Sequence, residues 1–325
     1  MFRRAVTLPC FTDEEREKVQ KLLGIRVAHM MGRKFEEGDW SYVYCRAKGI
    51  PENKWSNLNI DVTYKNLGIE HKMLCYRSDA QMSGLFGTTH MHPSATRSIR
   101  IPLLDSDPNE AMRDVLNQYG DLIKARREKV GEQNKSGMPV DIRTGWLFWQ
   151  ESLRQFLYFE EQMVEPNPDQ YYARWEERQT GGTRKGSKNL WIFEKDSGRK
   201  RYSITTSAGA KIQPYFDVPP SDDSNTYRFT VIGEQIITGQ IRVWLTSSTA
   251  KELKRFVGSF DPEEVSELIL NRVGKIKNIK GRNRVMEEKG ESVILNENAH
   301  LALIEAFPGV SDEYCFRALL EMLQE

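Results

Sequence analysis

Residues 58–75 constrain the fold more than any other part of this 325-residue chain. Leu58, Ile60, Val62 and Tyr64 alternate with Asn59, Asp61 and Thr63, the two-residue period of a strand with one apolar face. A tight turn over 65–68 leads into a second strand, in which Ile69, His71 and Met73 share one face and Glu70, Lys72 and Leu74 share the other. Paired as a hairpin, the strands bring Asp61 beside Glu70, with Lys72 one pleat further along the face of Glu70. Two carboxylates and an ammonium on one patch of sheet are costly unless something requires them. A divalent cation is the usual reason, because it neutralises carboxylates that otherwise repel.

The flanking sequence predicts helices and strands in mixed order. Thr12 and Glu15 have the spacing of a capping box, and Val19, Leu22, Leu23, Val27, Met30 and Met31 follow helical spacing, so a helix is expected over 12–37. Gly24 and Gly32 either divide that helix or permit close packing, and Gly38 is expected to end it. The aromatic run over 40–45 reads as a strand. A short strand over 98–104 and a helix over 109–130 follow. Residues 146–149 form a strand or the start of a buried helix, and 153–163 are expected to be helical. Pro166-Asn167-Pro168 is the best candidate boundary, between 1–165 and 166–325, with one integrated domain as the alternative. Beyond it, strands over 189–193 and 201–206 flank the turn at 195–198, and further strands are expected over 211–218, 227–232 and 235–245. Helices near 248–257, 261–273 and 297–324 close the chain, with a mobile connection over 275–289.

Hydrophobic residues make up 39% of the chain and charged residues 29%, the balance of a soluble globular protein with a charged surface. No apolar run reaches the ~18 residues that a membrane span requires, so no membrane partner is expected. The basic N-terminus lacks an apolar leader, and the four cysteines are dispersed without a Cys-x-x-Cys pair. Both features suit reduced thiols in the cytoplasm. A net charge of +1 is not that of a non-specific nucleic-acid coat, but its distribution is uneven. Residues 174–201 hold nine Lys or Arg against four acids, 272–289 hold seven against two, and 291–325 hold seven acids and one Arg. Basic segments set against acidic ones predict a focused polyanion surface.

Glu-x-Lys recurs at Glu52, Glu252 and Glu287, in a loop, a helix start and a charge run. Only Glu70-His71-Lys72 sits inside an apolar-flanked strand with an aspartate on the strand before it. On these residues the chain resembles the PD-(D/E)XK nuclease superfamily, whose best-known members are type II restriction endonucleases. The resemblance covers about 12–130. It implies an α/β fold: a restriction-endonuclease-like core, with a central mixed β-sheet flanked by helices, within 1–165. A β-rich and helical region would follow over 166–325, serving DNA recognition or dimerisation. It further implies that Asp61 and Glu70 ligate Mg²⁺, with a backbone carbonyl and waters completing the shell. Lys72 would orient or help deprotonate the attacking water and stabilise charge on the scissile phosphate. Products would carry 5′-phosphate and 3′-hydroxyl ends.

The implied partners are double-stranded DNA, a second copy in a homodimer matched to a palindromic site, and a companion DNA methyltransferase. Two departures stand out: Ile60 replaces the proline that usually precedes the aspartate, and only eight residues separate Asp61 from Glu70. Some members add a glutamate from the first helix, a place open to Glu36 and Glu37 alike. Two other groups have chemistry of their own. Residues 181–186 lack the Gly-Lys-Ser/Thr ending of a nucleotide-phosphate loop, yet their small residues beside Arg184, Lys185 and the nearby Lys188 suit contacts to DNA phosphates. His90 and His92 have metal-ligand spacing but no third ligand nearby. Three functions therefore stand as expectations: a sequence-specific, Mg²⁺-dependent endonuclease of the restriction type; a related nuclease for DNA repair or for modified or branched DNA; and a DNA-binding protein without catalysis.

Overall fold

The computed structural model describes residues 6–30, 33–51, 60–77, 80–93, 99–100, 106–178, 187–205, 211–273 and 289–324. A short strand β1 (Thr7–Leu8) and two helices, α1 (Asp13–Met30) and α2 (Glu37–Lys48), precede the hairpin. The single helix expected over 12–37 and the strand expected over 40–45 are corrected here. Trp40, Val43, Tyr44 and Ala47 recur at i, i+3, i+4 and i+7, and all four are buried. That helical spacing outweighs the β propensity of the aromatic run. Glu36 and Asp39 form a capping box at the start of α2, and Gly49 closes it in the left-handed region at φ 67°. Gly38 therefore lies in the first turn of α2 instead of ending α1. In α1 the predicted box forms, with Thr12 N donating to Glu15 Oε2 and Glu15 N donating to Thr12 Oγ1. Gly24 permits close packing: a Cβ there would come within 2.5 Å of the Trp244 ring. Gly32 lies outside the described residues.

The hairpin consists of β2 (Val62–Tyr64) and β3 (Leu67–Tyr76), paired antiparallel with Val62 opposite Ile69. Its loop is the two residues Lys65 and Asn66, shorter than the turn expected over 65–68, and Lys65 takes φ 54°. Asp61 immediately precedes β2, while residues 58 and 59 lie outside the described residues. After β3 come β4 (Thr89–Met91) and the long helix α3 (Pro108–Gln133), which fulfils the helix expected over 109–130. The strand β5 (Asp141–Gln150) then runs parallel to β3, so β3, α3 and β5 form a crossover unit.

The next strand, β6 (Gln155–Gln162), returns antiparallel to β5. Residues 146–149 are thus strand, and the helix expected over 153–163 is corrected to strand. Phe156, Leu157, Tyr158 and Phe159 are all buried. A strand covered on both faces loses the alternation that distinguishes it from a buried helix.

A second sheet contains β7 (Tyr171–Arg178), β8 (Ser187–Glu194), β9 (Lys200–Thr205) and β10 (Lys211–Asp217), in the order β4-β10-β9-β8-β7. The β8–β9 hairpin turns near 195–198, as its sequence predicts. The strand β11 (Tyr227–Thr230) goes back to pair with β6, and the first, mixed sheet otherwise runs β1-β6-β5-β3-β2. Strands from both sides of Pro166 thus contribute to each of these sheets. The chain ends in a three-stranded sheet of β12 (Glu234–Ile237), β13 (Gln240–Thr246) and β14 (Gly290–Asn296). Around it lie α4 (Ser247–Val257), α5 (Pro262–Arg272), α6 (Glu297–Ala306) and α7 (Asp312–Leu323). The helix expected over 297–324 is in fact α6 and α7, separated near Gly309 at φ 77°. The elements expected over 98–104 and 275–289 fall almost wholly outside the described residues.

Helices α1 and α2 pack on one face of the first sheet, where Leu23, Trp40 and Tyr44 share a core with Ile69, Phe156 and Tyr158. Helix α3 joins two other cores. Its Met112, Val115 and Leu116 meet Leu190, Ile192 and Ile204 of the second sheet, whereas Ile123 and Val130 meet Ile60 and Ile142 of the first. Trp40, fully buried in α2, tests the corrected helix directly. Trp40→Ala is expected to lower unfolding free energy by about 3–5 kcal/mol in urea denaturation, since it opens a large cavity. A cost below about 1 kcal/mol would show that α2 does not seat this ring in the core.

Candidate active site

The register of the first sheet sets the site. Glu70 on β3 lies opposite Thr144 on β5, and Thr144 lies opposite Glu161 on β6. Asp61 lies just before β2, whose Val62 is paired with Ile69, and its carboxylate reaches β3 at the His71 backbone N–H. Lys72 stands one pleat along, opposite Trp146, which in turn is opposite Phe159. The structure therefore brings together Asp61, Glu70 and Lys72, the three residues singled out in the hairpin. It adds neighbours from strands distant in sequence.

Glu70 is held by two cations. Its Oε1 accepts from Lys72 Nζ at 2.5 Å and from Arg126 Nη2 at 3.1 Å, with only 9% of its side chain exposed. Arg126 comes from α3 and was not among the residues the sequence pointed to. A signal for it exists: Arg126 falls three residues after Ile123 and four before Val130, so it interrupts the stripe that packs on the sheet. Asp61 is differently placed. Its Oδ2 accepts from the backbone N–H of His71 at 2.6 Å, and among the described residues no Lys, Arg or His forms an ion pair with it. Burial, then the charge of Glu70, then that of Glu37 push the Asp61 carboxyl up to about 8, against the weaker pull of the His71 N–H and Lys72. Of the two glutamates left open by the sequence, Glu37 bears on Asp61. Glu36 instead caps α2, 3.9 Å from Arg33.

Behind the row, His71 faces the α2 side. Burial, followed by the charge of Lys72, lowers its imidazole to about 3 and keeps it neutral, with Nδ1 3.3 Å from Ser41 Oγ. Glu161 is pushed up to about 7 by desolvation and by Asp217, partly offset by a hydrogen bond from Trp146 Nε1 to its Oε1 at 2.8 Å and by Arg201. Glu70, Lys72, Arg126, Thr144, Trp146 and Glu161 line a cavity of about 540 Å³, bounded also by α3, β9 and β10.

The other predicted groups lie elsewhere. His90 has hydroxyls at both ring nitrogens, Tyr76 Oη at 2.7 Å from Nδ1 and Thr88 Oγ1 at 2.8 Å from Nε2. His92 is buried near the Trp146 ring. Among the described residues no group of three or more His, Cys, Asp or Glu stands at metal-binding spacing. Lys188 lies at the start of β8 with its Nζ 5.2 Å from the Trp175 ring centre, while Arg184 and Lys185 are outside the described residues. Comparison with family models, curated proteins and solved structures finds no match to the chain.

Because the folded Asp61 carboxyl sits above its ordinary value, the fold disfavours the ionised form. Stability is lost as pH rises from about 4 towards about 8. Asp61→Asn keeps an acceptor for the His71 N–H and carries no charge. In thermal melts without divalent cations, the variant is expected to match the parent near pH 4 and to exceed it increasingly up to pH 8. A difference that stays constant across that range would refute the buried, repelled carboxylate.

Proposed function

We propose that this protein is a Mg²⁺-dependent nuclease that hydrolyses DNA phosphodiesters. One observation carries the reading: the buried Asp61 carboxyl feels the charge of Glu70, and Lys72 Nζ lies 2.5 Å from Glu70. The donor set suits Mg²⁺, which retains several waters and takes only one or two protein carboxylates. An ion held by Asp61 and Glu70 would relieve the repulsion that raises Asp61, and a bound Mg²⁺ supplies charge neutralisation and polarisation of the scissile phosphate. Lys72 orients the attacking water and stabilises charge on the phosphate. Arg126 fixes the orientation of Glu70 from α3 and adds a second positive charge. Attack of water on phosphorus, with departure of the 3′ oxygen, leaves 5′-phosphate and 3′-hydroxyl ends.

In its fullest form the proposal is a type II restriction endonuclease. It would cut double-stranded DNA at a specific sequence as a homodimer, beside a methyltransferase that protects the same site. The basic segment containing Arg184, Lys185 and Lys188 would then contact DNA phosphates. A second reading, a nuclease for repair or for modified or branched DNA, draws support from the small cavity into which Glu70 and Lys72 project.

Purified protein incubated with plasmid and Mg²⁺ tests the proposal. Cleavage is expected for the parent and is expected to fall roughly 100-fold or more in Asp61→Asn and in Lys72→Ala, with thermal unfolding of both still cooperative. Discrete fragments point to restriction-type cutting. Parental rates in either variant would sink the assignment, and DNA binding with no Mg²⁺-dependent nicking would leave a binding protein instead.

A further inference from the structure

We infer that a second pocket, at the far end of the first sheet from Glu70, binds a phosphate group; the inference does not rest on the nuclease reading. Its floor is set by register. Thr230 on β11 lies directly opposite Gln155 on β6, and Arg228 lies opposite Leu157. Opposite residues of an antiparallel pair share a face with Cβ atoms about 4.5–5.5 Å apart, and diagonal neighbours lie about 7–8 Å apart. Gln155, Thr230 and Arg228 are therefore neighbours on one face, the face on which Leu157 packs with Met82 and Leu85. These two belong to a 3-10 turn (Met82–Leu85), and their burial brings Gln81 and Ser83 to the same pocket. Gln150, buried at the end of β5, ties down the approach to this turn by donating from Nε2 to Ala80 O at 2.6 Å. Arg154, just before β6, completes the wall, and its carbonyl accepts from the N–H of Val231 at 2.9 Å.

Every charged side chain that lines this pocket is a guanidinium. Among the described residues no Asp or Glu borders it, and neither Arg154 nor Arg228 forms an ion pair or a side-chain hydrogen bond. Arg228 has the Phe86 ring centre 5.4 Å from its Cζ, a contact that takes up none of its N–H donors. Elsewhere the contrast is plain: Arg126, Arg143 and Arg201 each reach a carboxylate within 3.1 Å. The side chains of Gln81, Ser83, Gln155 and Thr230 are likewise uncommitted among the described residues, and each carries a neutral donor. Two unpaired guanidiniums, neutral donors and no carboxylate together select an anion with several acceptor oxygens. A carboxylate offers two oxygens, enough for one guanidinium fork, whereas a phosphate offers enough for both.

The pocket is separate from the candidate active site. Gln150 follows Thr144, the β5 neighbour of Glu70, by six residues, about 20 Å at strand spacing. Between the two lies the apolar core of Phe148, Leu157 and Phe159. The same chemistry serves a free phosphomonoester or a phosphate within a nucleic-acid backbone, and binding measurements separate these sources.

Isothermal titration calorimetry, at constant ionic strength and without divalent cation, tests the inference with inorganic phosphate, adenosine 5′-monophosphate and oligo-dT lacking terminal phosphates. The parent is compared with Arg154→Gln, Arg228→Gln and, as a control for net charge, Arg255→Gln at an exposed position on α4. Thermal melts establish that each variant is folded. The parent and Arg255→Gln are expected to bind inorganic phosphate or the monophosphate with Kd of about 1 mM or tighter. Arg154→Gln and Arg228→Gln should each bind about tenfold or more weakly, the worth of one charge-assisted hydrogen bond. Monophosphate binding with which oligo-dT does not compete identifies a small phosphomonoester as the ligand. Displacement by oligo-dT, whose own affinity falls in the same two variants, identifies a nucleic-acid backbone; either result upholds the site. No binding of inorganic phosphate or of the monophosphate would overturn the inference. So would affinities that Arg154→Gln and Arg228→Gln leave untouched, or that Arg255→Gln weakens equally.

Discussion

Helix α3 is the constraint on which the site depends. It is 26 residues long, about 39 Å at 1.5 Å per residue, and its apolar stripe serves two sheets in succession. Met112 to Leu116 close the core of the second sheet, and Ile123 to Val130 close that of the first. Tyr119, between the two stretches, packs against both cores and also lines the cavity. A helix that belongs to two cores cannot tilt towards one without opening the other. The gap between the sheets is therefore fixed by apolar packing remote from the charged residues. Arg126 lies on the same rigid rod, so its contact with Glu70 is set by hydrophobic packing as much as by attraction.

The first sheet handles buried charge in two ways. On the α1–α2 side, Glu160 is fully buried, yet each of its oxygens has a partner: Oε1 accepts from Tyr158 Oη at 2.9 Å and Oε2 from Arg143 Nη1 at 3.0 Å. Arg143 is in turn paired with Asp141. Both Glu160 oxygens are thus engaged and the carboxylate faces a guanidinium, so this buried charge reads as architecture. At the edge of the sheet Asp61 has a backbone N–H and two acidic neighbours, Glu70 and Glu37, whose charges act against it. A buried carboxylate raised by two acidic neighbours is the feature that gives the proposed cation its place.

Period-two alternation exposed the hairpin of β2 and β3, with Glu70 and Lys72 on one face. Asp61, however, lies just before β2, and Ile60 packs with α3 while Val62 packs with α1 and α2, not on one shared face as expected. The same rule failed where burial was complete. Phe156 to Phe159 have no polar face to reveal a strand, and Trp40 to Ala47 follow a helical period in aromatic residues that favour strands in general. Arg126 was legible only as a charge on an apolar stripe, a weak signal beside the many surface arginines. The cavity had no linear signature at all. Its walls come from β3, β5, β6, α3, β9 and β10, and only the tertiary fold brings Glu161 or Tyr215 near Glu70.

The short interval between Asp61 and Glu70 follows from the hairpin itself. In an antiparallel pair, the residue numbers of opposite positions have a constant sum, and Val62 opposite Ile69 makes Asp61 the partner position of Glu70. A two-residue loop is the tightest common connection, so eight intervening residues place the carboxylates three pairs from the turn. Lys65 takes the left-handed φ of 54° that this loop needs, at some backbone cost for a residue with a side chain. A longer loop would relax Lys65, but unless it restored the same register it would move Asp61 off the row or onto the other face of the sheet. Spacing, strained turn and juxtaposed carboxylates are therefore one structural fact. The residue before the aspartate, Ile60, belongs to it as well, since its buried side chain packs with Ile123 and Val130 of α3 and anchors the start of the hairpin to the helix that carries Arg126.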